Sequence, residues 1–345
     1  MLNERYRIVQ TDNGNFPPIF DRNIQERLNC QLRLAKVRTE EETFSACSHA
    51  HLVLATRGLF TKNVLRKMKD CVAIIRFGVG VENIDLKSAT ELGIIVSNVP
   101  DFCTDEVSDT VIGFMLALNR KLLFMHRTVM GGSWDRRLAQ PITRLSNKTL
   151  GLIGFGRIAR AVAAKMKGFK INIIAYDPYI NKQEMIRVSV RPVNFHYILQ
   201  QSDFISLHLP LNDKTYHLIG ERQLRQMKPN AYLINTSRGK LINEGALYKA
   251  LRKKWIAGAA LDVLEKEPPD SKNPLLKLEN VIFTPHFASY SEEAFKELQK
   301  KVQDSALTLL KGRFPNYIVN SDVKSKARLL GFMKPSGGQY GQTRG

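Results

Sequence analysis

Short apolar runs alternate with helix-like stretches along the first hundred residues. Four of these runs, at residues 6–9, 51–55, 71–75 and 93–96, have the length and the side chains of buried strands. Helical stretches lie between them, for example over residues 61–69. Because strands that alternate with helices form parallel sheets covered by those helices, this part of the chain predicts an α/β domain.

The same alternation starts again near residue 149 and predicts a second parallel sheet of about six strands. The strands are expected at residues 149–153, 171–176, 204–209, 231–234, 257–261 and 281–284. Between the two sheets, Thr104 is expected to cap a helix whose first turn holds Asp105 and Glu106. A long helix is predicted over residues 291–310. From residue 321 onward no periodic apolar face is visible, which predicts a disordered tail.

A glycine motif follows the first strand of the second sheet. Gly154-Phe155-Gly156-Arg157-Ile158-Ala159 stands between a strand and a helix and matches G-x-G-x-x-G/A. Gly154 permits the tight turn, Gly156 lets the backbone approach a pyrophosphate, and Ala159 allows close packing of helix on strand. The helix N-terminus attracts the phosphate charge. The motif therefore predicts a dinucleotide site of the Rossmann type.

An acidic residue at the end of the next strand indicates which dinucleotide binds. Asp177 follows Gly156 by about 20 residues, the spacing of a carboxylate that binds the adenosine ribose. A carboxylate there repels a 2′-phosphate, so NAD (as NADH in reduction) is favoured as the cofactor. Basic neighbours such as Lys182 leave NADP as the alternative.

Three polar side chains follow three later strands. They are Arg238 in NTSRG, Glu267 in LDVLEKEPP and His286 in FTPHFASYS. Because ligands of open parallel sheets bind beyond the carboxyl ends of the strands, all three are expected at the cofactor cleft. Each taken alone has an ordinary alternative: a solvated arginine, an acidic turn before Pro268, or a histidine at a strand end.

Together the three groups suit the reduction of a 2-keto acid by a hydride from the cofactor. An arginine fork binds a carboxylate, and an imidazole can donate a proton to the nascent alkoxide. A carboxylate on the other imidazole nitrogen orients the ring and favours its protonated form. Gly239, directly after Arg238, is predicted to let the chain turn away so that the guanidinium faces the substrate.

Composition narrows the class of protein. A chain of 345 residues with 43% hydrophobic and 24% charged residues suits two globular domains. No apolar run approaches the roughly 18–20 residues of a membrane span, and the N-terminus has no apolar signal core. A cytoplasmic protein is therefore expected.

The cysteines and histidines do not indicate a metal site. The four cysteines contain no CxxC pair, which favours buried thiols over disulfides or zinc; they are Cys30, Cys47, Cys71 and Cys103. Only His49 and His51 have a spacing that could suit a metal ligand pair, and they lie directly before a predicted strand. No metal is expected.

The formal net charge of +20 is high, with 52 Lys and Arg against 32 Asp and Glu. A solvated basic surface is the first reading, and attraction of a small anionic substrate is the second. Nucleic-acid binding is the third. It is not expected, because no motif of a nucleic-acid-binding protein accompanies the charge.

Several longer segments share the pattern of one protein family. They are RFGVGVENIDLKSATELGIIVSNVP, GLIGFGRIAR, SDFISLHLPL, NTSRGKLINEGAL, AGAALDVLEKEP and TPHFAS. From about Cys71 to Asn320 the chain resembles the D-isomer-specific 2-hydroxyacid dehydrogenase family. The resemblance implies two doubly wound parallel-sheet domains, with a Rossmann NAD-binding domain (residues 100–286) inserted into a flavodoxin-like substrate-binding domain (residues 1–99 and 287–322). Residues 323–345 remain as the predicted disordered tail.

The resemblance also implies roles for individual residues. Arg238 holds the substrate, His286 is the acid/base, and Glu267 pairs with His286. The loop Gly78-Val79-Gly80 presents backbone amides to the substrate carboxylate. The positions expected to bind the cofactor are Thr104, Gly154, Gly156, Arg157, Ile158, Asp177, Leu209, Pro210, Thr215, Thr236, Ser237, Asp262 and His286.

Within the family, RFGVGVENID and TPHFASYS look most like the C-terminal-binding-protein branch. In that branch the position of Arg76 carries an arginine directed at the ligand carboxylate; a salt bridge within the loop is the ordinary alternative. The aromatic residue expected a few positions after His286 is Tyr290 rather than tryptophan, and Tyr290 is a candidate substrate contact. Members of the family are usually dimers, built partly by the helix after Asp105 and by the stretch around Trp134, so a homodimer is expected.

The expected activity is the NAD-dependent interconversion of a small 2-keto acid and its D-2-hydroxy acid. Arg76 and the charge of +20 favour a substrate with a second anionic group, such as a phosphate or phosphonate. The alternative is an NAD(H)-sensing, corepressor-like interaction protein of the same fold, because such proteins also retain the three catalytic residues.

Overall fold

The computed structural model describes residues 6–11 and 16–332, and these form two compact units. The first unit holds the described residues up to Phe102 and those from Glu292 onward. The second unit spans Cys103–Ser291. Both boundaries lie a few residues after those expected from the sequence.

The first unit contains a five-stranded parallel sheet in the order β2-β1-β3-β4-β5, the flavodoxin-like arrangement. Its elements up to residue 97 are β1 (Tyr6–Thr11), α1 (Arg22–Arg27), β2 (Cys30–Ala35), α2 (Glu40–Cys47), β3 (Leu52–Ala55), α3 (Lys62–Lys67), β4 (Ala73–Arg76), α4 (Leu86–Glu91) and β5 (Ile95–Ser97). Sequence pattern predicts four of these strands and misses β2. The reason is that β2 lies at the sheet edge, where most of its side chains are at least partly exposed.

The second unit contains a seven-stranded parallel sheet in the order β12-β11-β10-β9-β6-β7-β8. Its elements are α5 (Thr104–Arg120), α6 (Leu122–Met130), β6 (Thr149–Ile153), α7 (Arg157–Met166), β7 (Asn172–Tyr176), α8 (Lys182–Arg187), β8 (Arg191–Pro192), α9 (Phe195–Gln201), β9 (Phe204–Leu207), α10 (Glu221–Leu224), β10 (Tyr232–Asn235), α11 (Glu244–Arg252), β11 (Gly258–Leu261) and β12 (Val281–Phe283). The predicted count of six strands misses the two-residue edge strand β8. The strand order reverses beside β6, and ligands of such sheets bind beyond the carboxyl ends of the strands at this point.

Buried strands explain why this sheet forms. The side chains of β9 and β11 are all buried, and apolar clusters cover both faces of the sheet. Helices α5 and α7 pack on one face through residues such as Phe114 and Val162. Helix α11 packs on the other face through Leu247. The predicted fold class, two doubly wound parallel-sheet units, is confirmed.

The expected cap of α5 is wrong. Thr104 is already the first helical residue, and Cys103 occupies the N-cap position without a side-chain capping bond to the first turn. A residue with helical backbone angles cannot direct its hydroxyl at the amides of its own first turn. The helix begins at the predicted residue, but another residue precedes it as the cap.

The chain returns to the first unit through α12 (Glu292–Leu310), and a 3₁₀ turn (Ser321–Lys326) and α13 (Leu329–Phe332) follow. The predicted disordered tail is therefore wrong from residue 323 to residue 332. Val323, Ala327 and Leu329 are buried there, but their irregular spacing gives no helical or strand period. The rest of the predicted tail, residues 333–345, lies outside the described residues.

Arg328 fixes this last segment to the first unit. Its Nε donates a hydrogen bond to the Leu92 carbonyl at 2.7 Å. Its Nη1 donates to the carbonyls of Met68, Lys69 and Cys71 at 2.7, 2.9 and 3.0 Å. One guanidinium thus bonds four backbone carbonyls from the ends of α3 and α4.

The four cysteines are buried thiols, and none of them is in a disulfide. Burial raises the pKa of the thiols of Cys47 and Cys71 to about 12, so neither is reactive as a thiolate. His51 uses Nδ1 to accept the Arg7 backbone N–H at 3.0 Å. In the described ranges no three His, Cys, Asp or Glu residues are grouped so that they could hold a metal ion. Nor does any helix in those ranges have the length and apolar character needed to cross a membrane.

Candidate active site

His286 and Glu267 form a hydrogen-bonded pair beyond the carboxyl ends of β12 and β11. Nδ1 of His286 lies 2.6 Å from Oε2 of Glu267. Burial disfavours the charged carboxyl, but bonds from His286 and the Leu264 N–H, together with the nearby Arg238 charge, hold the pKa of Glu267 below its usual value. Because an ionised carboxylate only accepts hydrogen bonds, Nδ1 carries the proton of this pair. Nε2 is then the nitrogen available to exchange a proton with a ligand.

Arg238 follows β10 in a turn that is held from both sides. The Asn235 side-chain amide donates to the Arg238 carbonyl at 2.8 Å, and the Ser237 hydroxyl donates to the Leu207 carbonyl at 2.6 Å. Nη1 of Arg238 donates to the Ser237 carbonyl at 2.7 Å. The guanidinium is close enough to Glu267 to lower the pKa of that carboxyl. The structure therefore brings the three predicted catalytic residues to one end of the sheet.

Gly239 has a different purpose from the predicted one. Its φ is outside the left-handed region that only glycine adopts readily. A Cβ at this position would lie 2.0 Å from the carbonyl carbon and oxygen of Leu264. The glycine is required because the turn that carries Arg238 approaches the loop that leads to Glu267.

Asp262 organises the segment that carries His286. Oδ1 of Asp262 accepts hydrogen bonds from the Thr284 hydroxyl at 2.6 Å and the Phe287 N–H at 2.9 Å, and Oδ2 accepts the Ala288 N–H at 3.1 Å. Its backbone carbonyl accepts the His286 N–H at 2.8 Å. His286 has a φ of 53°, a left-handed conformation that costs free energy for a residue with a side chain. The bonds from Asp262 hold the imidazole in this turn.

The glycine loop connects β6 to α7. In the sheet, β6 lies on one side of β9, and the strands that lead to Arg238, Glu267 and His286 lie on the other. Gly154 has a φ of 90°, and a Cβ there would lie 2.4 Å from the His208 carbonyl oxygen. Apart from Gly156 and its two chain neighbours, no atom of the described residues lies within 4 Å of the place where a Cβ on Gly156 would stand, so its backbone is open to a ligand. Helix α7 begins at Arg157, directly after this glycine, and Ile158 follows in its first turn. The loop fits a pyrophosphate at a helix N-terminus.

Asp177 is held at the end of β7 by the same loop. Its Oδ2 accepts the Phe155 N–H at 2.8 Å, and its Oδ1 accepts the Tyr179 N–H at 2.9 Å. Each carboxylate oxygen keeps further capacity to accept, so a ribose diol can still bind there. The buried hydroxyl of Thr236 also has no hydrogen-bond partner among the described residues. These features fit a dinucleotide.

The other predicted residues lie in three places. Leu209, Pro210 and Thr215 share the loop after β9, in which the Thr215 hydroxyl donates to the Pro210 carbonyl at 2.7 Å. Tyr290, four positions after His286, is about half exposed. Only the predicted substrate residues at the end of β4 belong to the first unit; they are Arg76, Gly78, Val79 and Gly80.

Arg76 is bonded within its own unit. Its Nη1 donates to the carbonyls of Ala55 and Phe77 at 3.0 and 2.7 Å. These two bonds fix the guanidinium at the carboxyl ends of β3 and β4. Both acceptors are backbone oxygens, so neither of these two bonds is the salt bridge that was the alternative expected from the sequence.

Comparison with known proteins identifies the family. The family model for the D-isomer specific 2-hydroxyacid dehydrogenase NAD binding domain matches residues 112–288, about half of the chain. The chain is 39% identical over 297 residues to a glyoxylate reductase of Korarchaeum cryptofilum, which covers 79% of this chain and 89% of that protein. The chain belongs to the D-isomer-specific 2-hydroxyacid dehydrogenase family. It is an NAD-dependent oxidoreductase that acts on 2-hydroxy acids.

Two further proteins that are similar to the chain have names of other activities. A D-3-phosphoglycerate dehydrogenase of Methanocaldococcus jannaschii is 41% identical over 307 residues, covering 88% of this chain and 58% of that longer protein. The solved structure of the acyclic imino acid reductase Bsp5 in complex with NADPH and D-Arg superposes with a TM-score of 0.82 at 28% identity, covering 91% of this chain and 99% of that one. Relatives with one fold thus carry the names of different activities.

Two features of the site are not evident from the sequence. The bonds from Asp262 to the His286 segment join residues more than 20 positions apart, and the resemblance assigns Asp262 only to the cofactor. His208 stands in the segment SDFISLHLPL directly before the predicted cofactor residue Leu209. Its position at the end of a predicted strand could have identified His208 as a candidate site residue, because the other polar groups of this site also follow strand ends.

Proposed function

We propose that this dehydrogenase reduces a small 2-keto acid to the D-2-hydroxy acid with NADH. The observation that carries the proposal is the 2.6 Å pair of Glu267 and His286 with Arg238 beside it. A fixed cation, a proton donor and an orienting carboxylate are the groups that this reduction requires from the protein.

Each residue has one task in this reaction. The Arg238 guanidinium binds the substrate carboxylate through two parallel hydrogen bonds. Bound NADH supplies the hydride to the carbonyl carbon. Nε2 of His286 gives its proton to the carbonyl oxygen, which leaves a neutral imidazole. Before this transfer the Glu267 carboxylate stabilises the imidazolium through Nδ1.

A panel of 2-keto acids tests the proposal through NADH oxidation. We expect turnover of at least one of them, and His286→Ala should lower kcat by about a hundredfold or more while NADH still binds. Equal turnover by His286→Ala and the parent would refute the role of His286. Failure of the parent with every keto acid would favour the NAD(H)-sensing, corepressor-like role instead, the role suggested by the similarity of two segments to the C-terminal-binding-protein branch.

We also propose that the substrate carries a second anionic group, such as a phosphate or phosphonate. Support comes from the net charge of +20 and from Arg76, whose guanidinium is fixed at the end of β4. The loop Gly78-Val79-Gly80 follows it and is proposed to bind the carboxylate. The phosphorylated or phosphonylated analogue of pyruvate should then have a higher kcat/KM than pyruvate itself. Comparable values for both compounds would contradict this part.

NAD is the proposed choice over NADP. Asp177 supports it, because its carboxylate is held by two backbone amides where a 2′-phosphate would be repelled. Asp177→Ala should bring the KM values for NADH and NADPH closer together. A parent enzyme that already prefers NADPH would overturn the preference.

A homodimer is proposed from an apolar surface of the second unit. In the described structure none of the side chains of α6 is buried. Met130 and Trp134 are 76% and 90% exposed, and a cavity of about 480 Å³ lies beside Phe124. A second copy of the chain is the proposed partner, since apolar surface of this kind is rarely left in water.

Light scattering after gel filtration tests the dimer. The parent should have the mass of two chains, and Met130→Glu should shift it towards one chain. Leu34→Glu places the same charge at another exposed apolar side chain, in the first unit, and should leave the mass unchanged. A monomeric parent would exclude this arrangement.

A cytoplasmic location is part of the same proposal. The four cysteines are buried and form no disulfide, which suits a reducing compartment. Fractionation of the source cells, with detection of the protein in the cytosol or elsewhere, decides the point.

A further inference from the structure

Three residues of the second unit have buried side-chain nitrogen or oxygen atoms with no hydrogen-bond partner in the described part of the chain. They are Ser206 in β9, His208 directly after β9, and Thr236 directly after β10. For His208 both ring nitrogens are buried and lack a partner. Native proteins nearly always satisfy buried polar groups, so an imidazole with two unsatisfied nitrogens calls for a ligand or a structural explanation.

Strand register places His208 beside Thr236. Strands β9 and β10 pair in parallel with Leu207 opposite Asn235, so the next residue of each strand is also a neighbour of the other. Thr236 is already expected to bind the cofactor. On the other side, the His208 N–H donates to the Ile153 carbonyl at 2.7 Å, which ties the residue to the strand that leads into the glycine loop.

The strand order then indicates which part of a dinucleotide lies over His208. Asp177, expected at the adenosine ribose, follows β7, and the glycine loop for the pyrophosphate follows β6. Arg238 and His286, expected at the reacting ring, follow β10 and β12. Strand β9 lies between β6 and β10. The part of the cofactor between the pyrophosphate and the nicotinamide is a ribose, so a bound cofactor would place this ribose over the ends of β9 and β10.

We propose that His208 is a cofactor-binding residue whose imidazole hydrogen-bonds a hydroxyl of the nicotinamide-side ribose of NAD(H). The inference rests on the proposed use of NAD(H) and adds a residue that neither the glycine motif nor the catalytic trio includes. It also explains why an imidazole with two unsatisfied nitrogens stands at this strand end.

The protonation state of His208 selects a hydroxyl rather than a phosphate. Burial lowers the pKa of His208 to about 4, so the ring is neutral near neutral pH. A neutral imidazole offers one N–H donor and one acceptor nitrogen. A ribose hydroxyl both donates and accepts and needs no charge, whereas a phosphate binds best to a protonated ring.

Binding of cofactor fragments to His208→Leu tests the proposal without any substrate. ADP-ribose contains the second ribose and ADP does not, so the two ligands separate this contact from the rest of the site. Calorimetry should show the Kd of NADH and of ADP-ribose rising about three- to tenfold in the variant, the effect of one neutral hydrogen bond. The Kd of ADP should stay within about twofold of the parent value.

Two companion variants control for changes in the core. Ser206→Ala removes another buried, unsatisfied hydroxyl two residues earlier in β9 and should leave all three Kd values unchanged. His208→Gln retains a donor and an acceptor and should recover part of the ADP-ribose affinity. If leucine prevents folding, His208→Ala gives the same comparison.

Three results would overturn the assignment. An unchanged ADP-ribose Kd in His208→Leu would show that the imidazole makes no hydrogen bond to the second ribose. Equal weakening of ADP and ADP-ribose would place the effect outside the second ribose. Equal weakening by Ser206→Ala would attribute it to the core. A parent that binds NADH but reduces no keto acid would contradict the proposed reaction. It would not affect the assignment of His208, which depends only on these Kd values.

Discussion

Nδ1 of His286 lies 2.6 Å from the carboxylate of Glu267, although the two residues follow different strands. The contact occupies Nδ1, and in the proposed reaction it leaves Nε2 to face the substrate and gives the protonated ring a counter-charge. This relationship makes the two residues one functional unit, so a change at Glu267 should be visible in the chemistry of His286.

Glu267→Gln should lower kcat/KM by about tenfold or more, because a neutral amide cannot stabilise an imidazolium. Asp270→Asn removes an exposed charge from the same loop and should leave kcat/KM unchanged. An unaltered kcat/KM in Glu267→Gln would argue against the pair.

Asp262→Asn should lower kcat by about tenfold and the free energy of unfolding by about 1–3 kcal/mol. The amide offers one oxygen to three donors, so at least one of the N–H groups of Phe287 and Ala288 faces an NH₂ group instead. The left-handed turn at His286 then loses support. Stopped-flow turnover and urea unfolding measure the two effects.

Thr284→Val is the graded comparison for Asp262. It removes only the hydroxyl that donates to Oδ1 and should cost about 1 kcal/mol of stability with a smaller loss of kcat. If Asp262→Asn matched the parent in both kcat and unfolding, the carboxylate would not be what holds the histidine.

Acid should destabilise the parent through His208. The unfolded imidazole takes up a proton near pH 6.5, while the folded ring stays neutral down to about pH 4. The unfolded state therefore binds more protons between these values, and stability falls as the pH falls through that window. Relative to His208→Leu, the parent should lose about 2 kcal/mol of unfolding free energy between pH 7 and pH 5.

Urea unfolding at the two pH values measures this loss, and Ser206→Ala should follow the parent because it retains the histidine. A parallel pH dependence in the parent and in His208→Leu would mean that the ring is hydrated in the folded protein.

Arg328→Ala should lower the free energy of unfolding of the first unit by about 2–4 kcal/mol. Four backbone carbonyls lose a charged donor in this variant, and hydrogen bonds to charged groups are the stronger class. Lys324→Ala changes an exposed lysine of the same segment and should have little effect. Urea unfolding monitored by circular dichroism compares the two, and equal midpoints would show that Arg328 is dispensable.

Sequence pattern predicted the parts of the fold that local chemistry determines. The central strands were found because parallel strands covered on both faces are continuous apolar runs, as in β9. The edge strands β2 and β8 were missed because an edge needs less apolar surface, and β8 even contains Pro192. The cofactor loop was found because its glycines stand at fixed spacing.

Contacts between distant parts of the chain could not be predicted in this way. Nothing near Arg328 in the sequence indicates that its partners are the carbonyls of residues 68–92. Gly239 looks like a turn residue, but a glycine is needed there because the backbone of Leu264, 25 positions later, leaves no room for a Cβ. Such contacts depend on which strands become neighbours, and this is determined by the whole sheet.

The bonds of Arg328 also set an order of events during synthesis. The carbonyls that this arginine binds lie in the first third of the chain, whereas the arginine itself lies close to its end. The second unit is one continuous segment, complete at Ser291, and the first unit has to wait for residues beyond Glu292. On the ribosome, the unit that carries the proposed catalytic trio is therefore fully made while the first unit still lacks α12, α13 and Arg328.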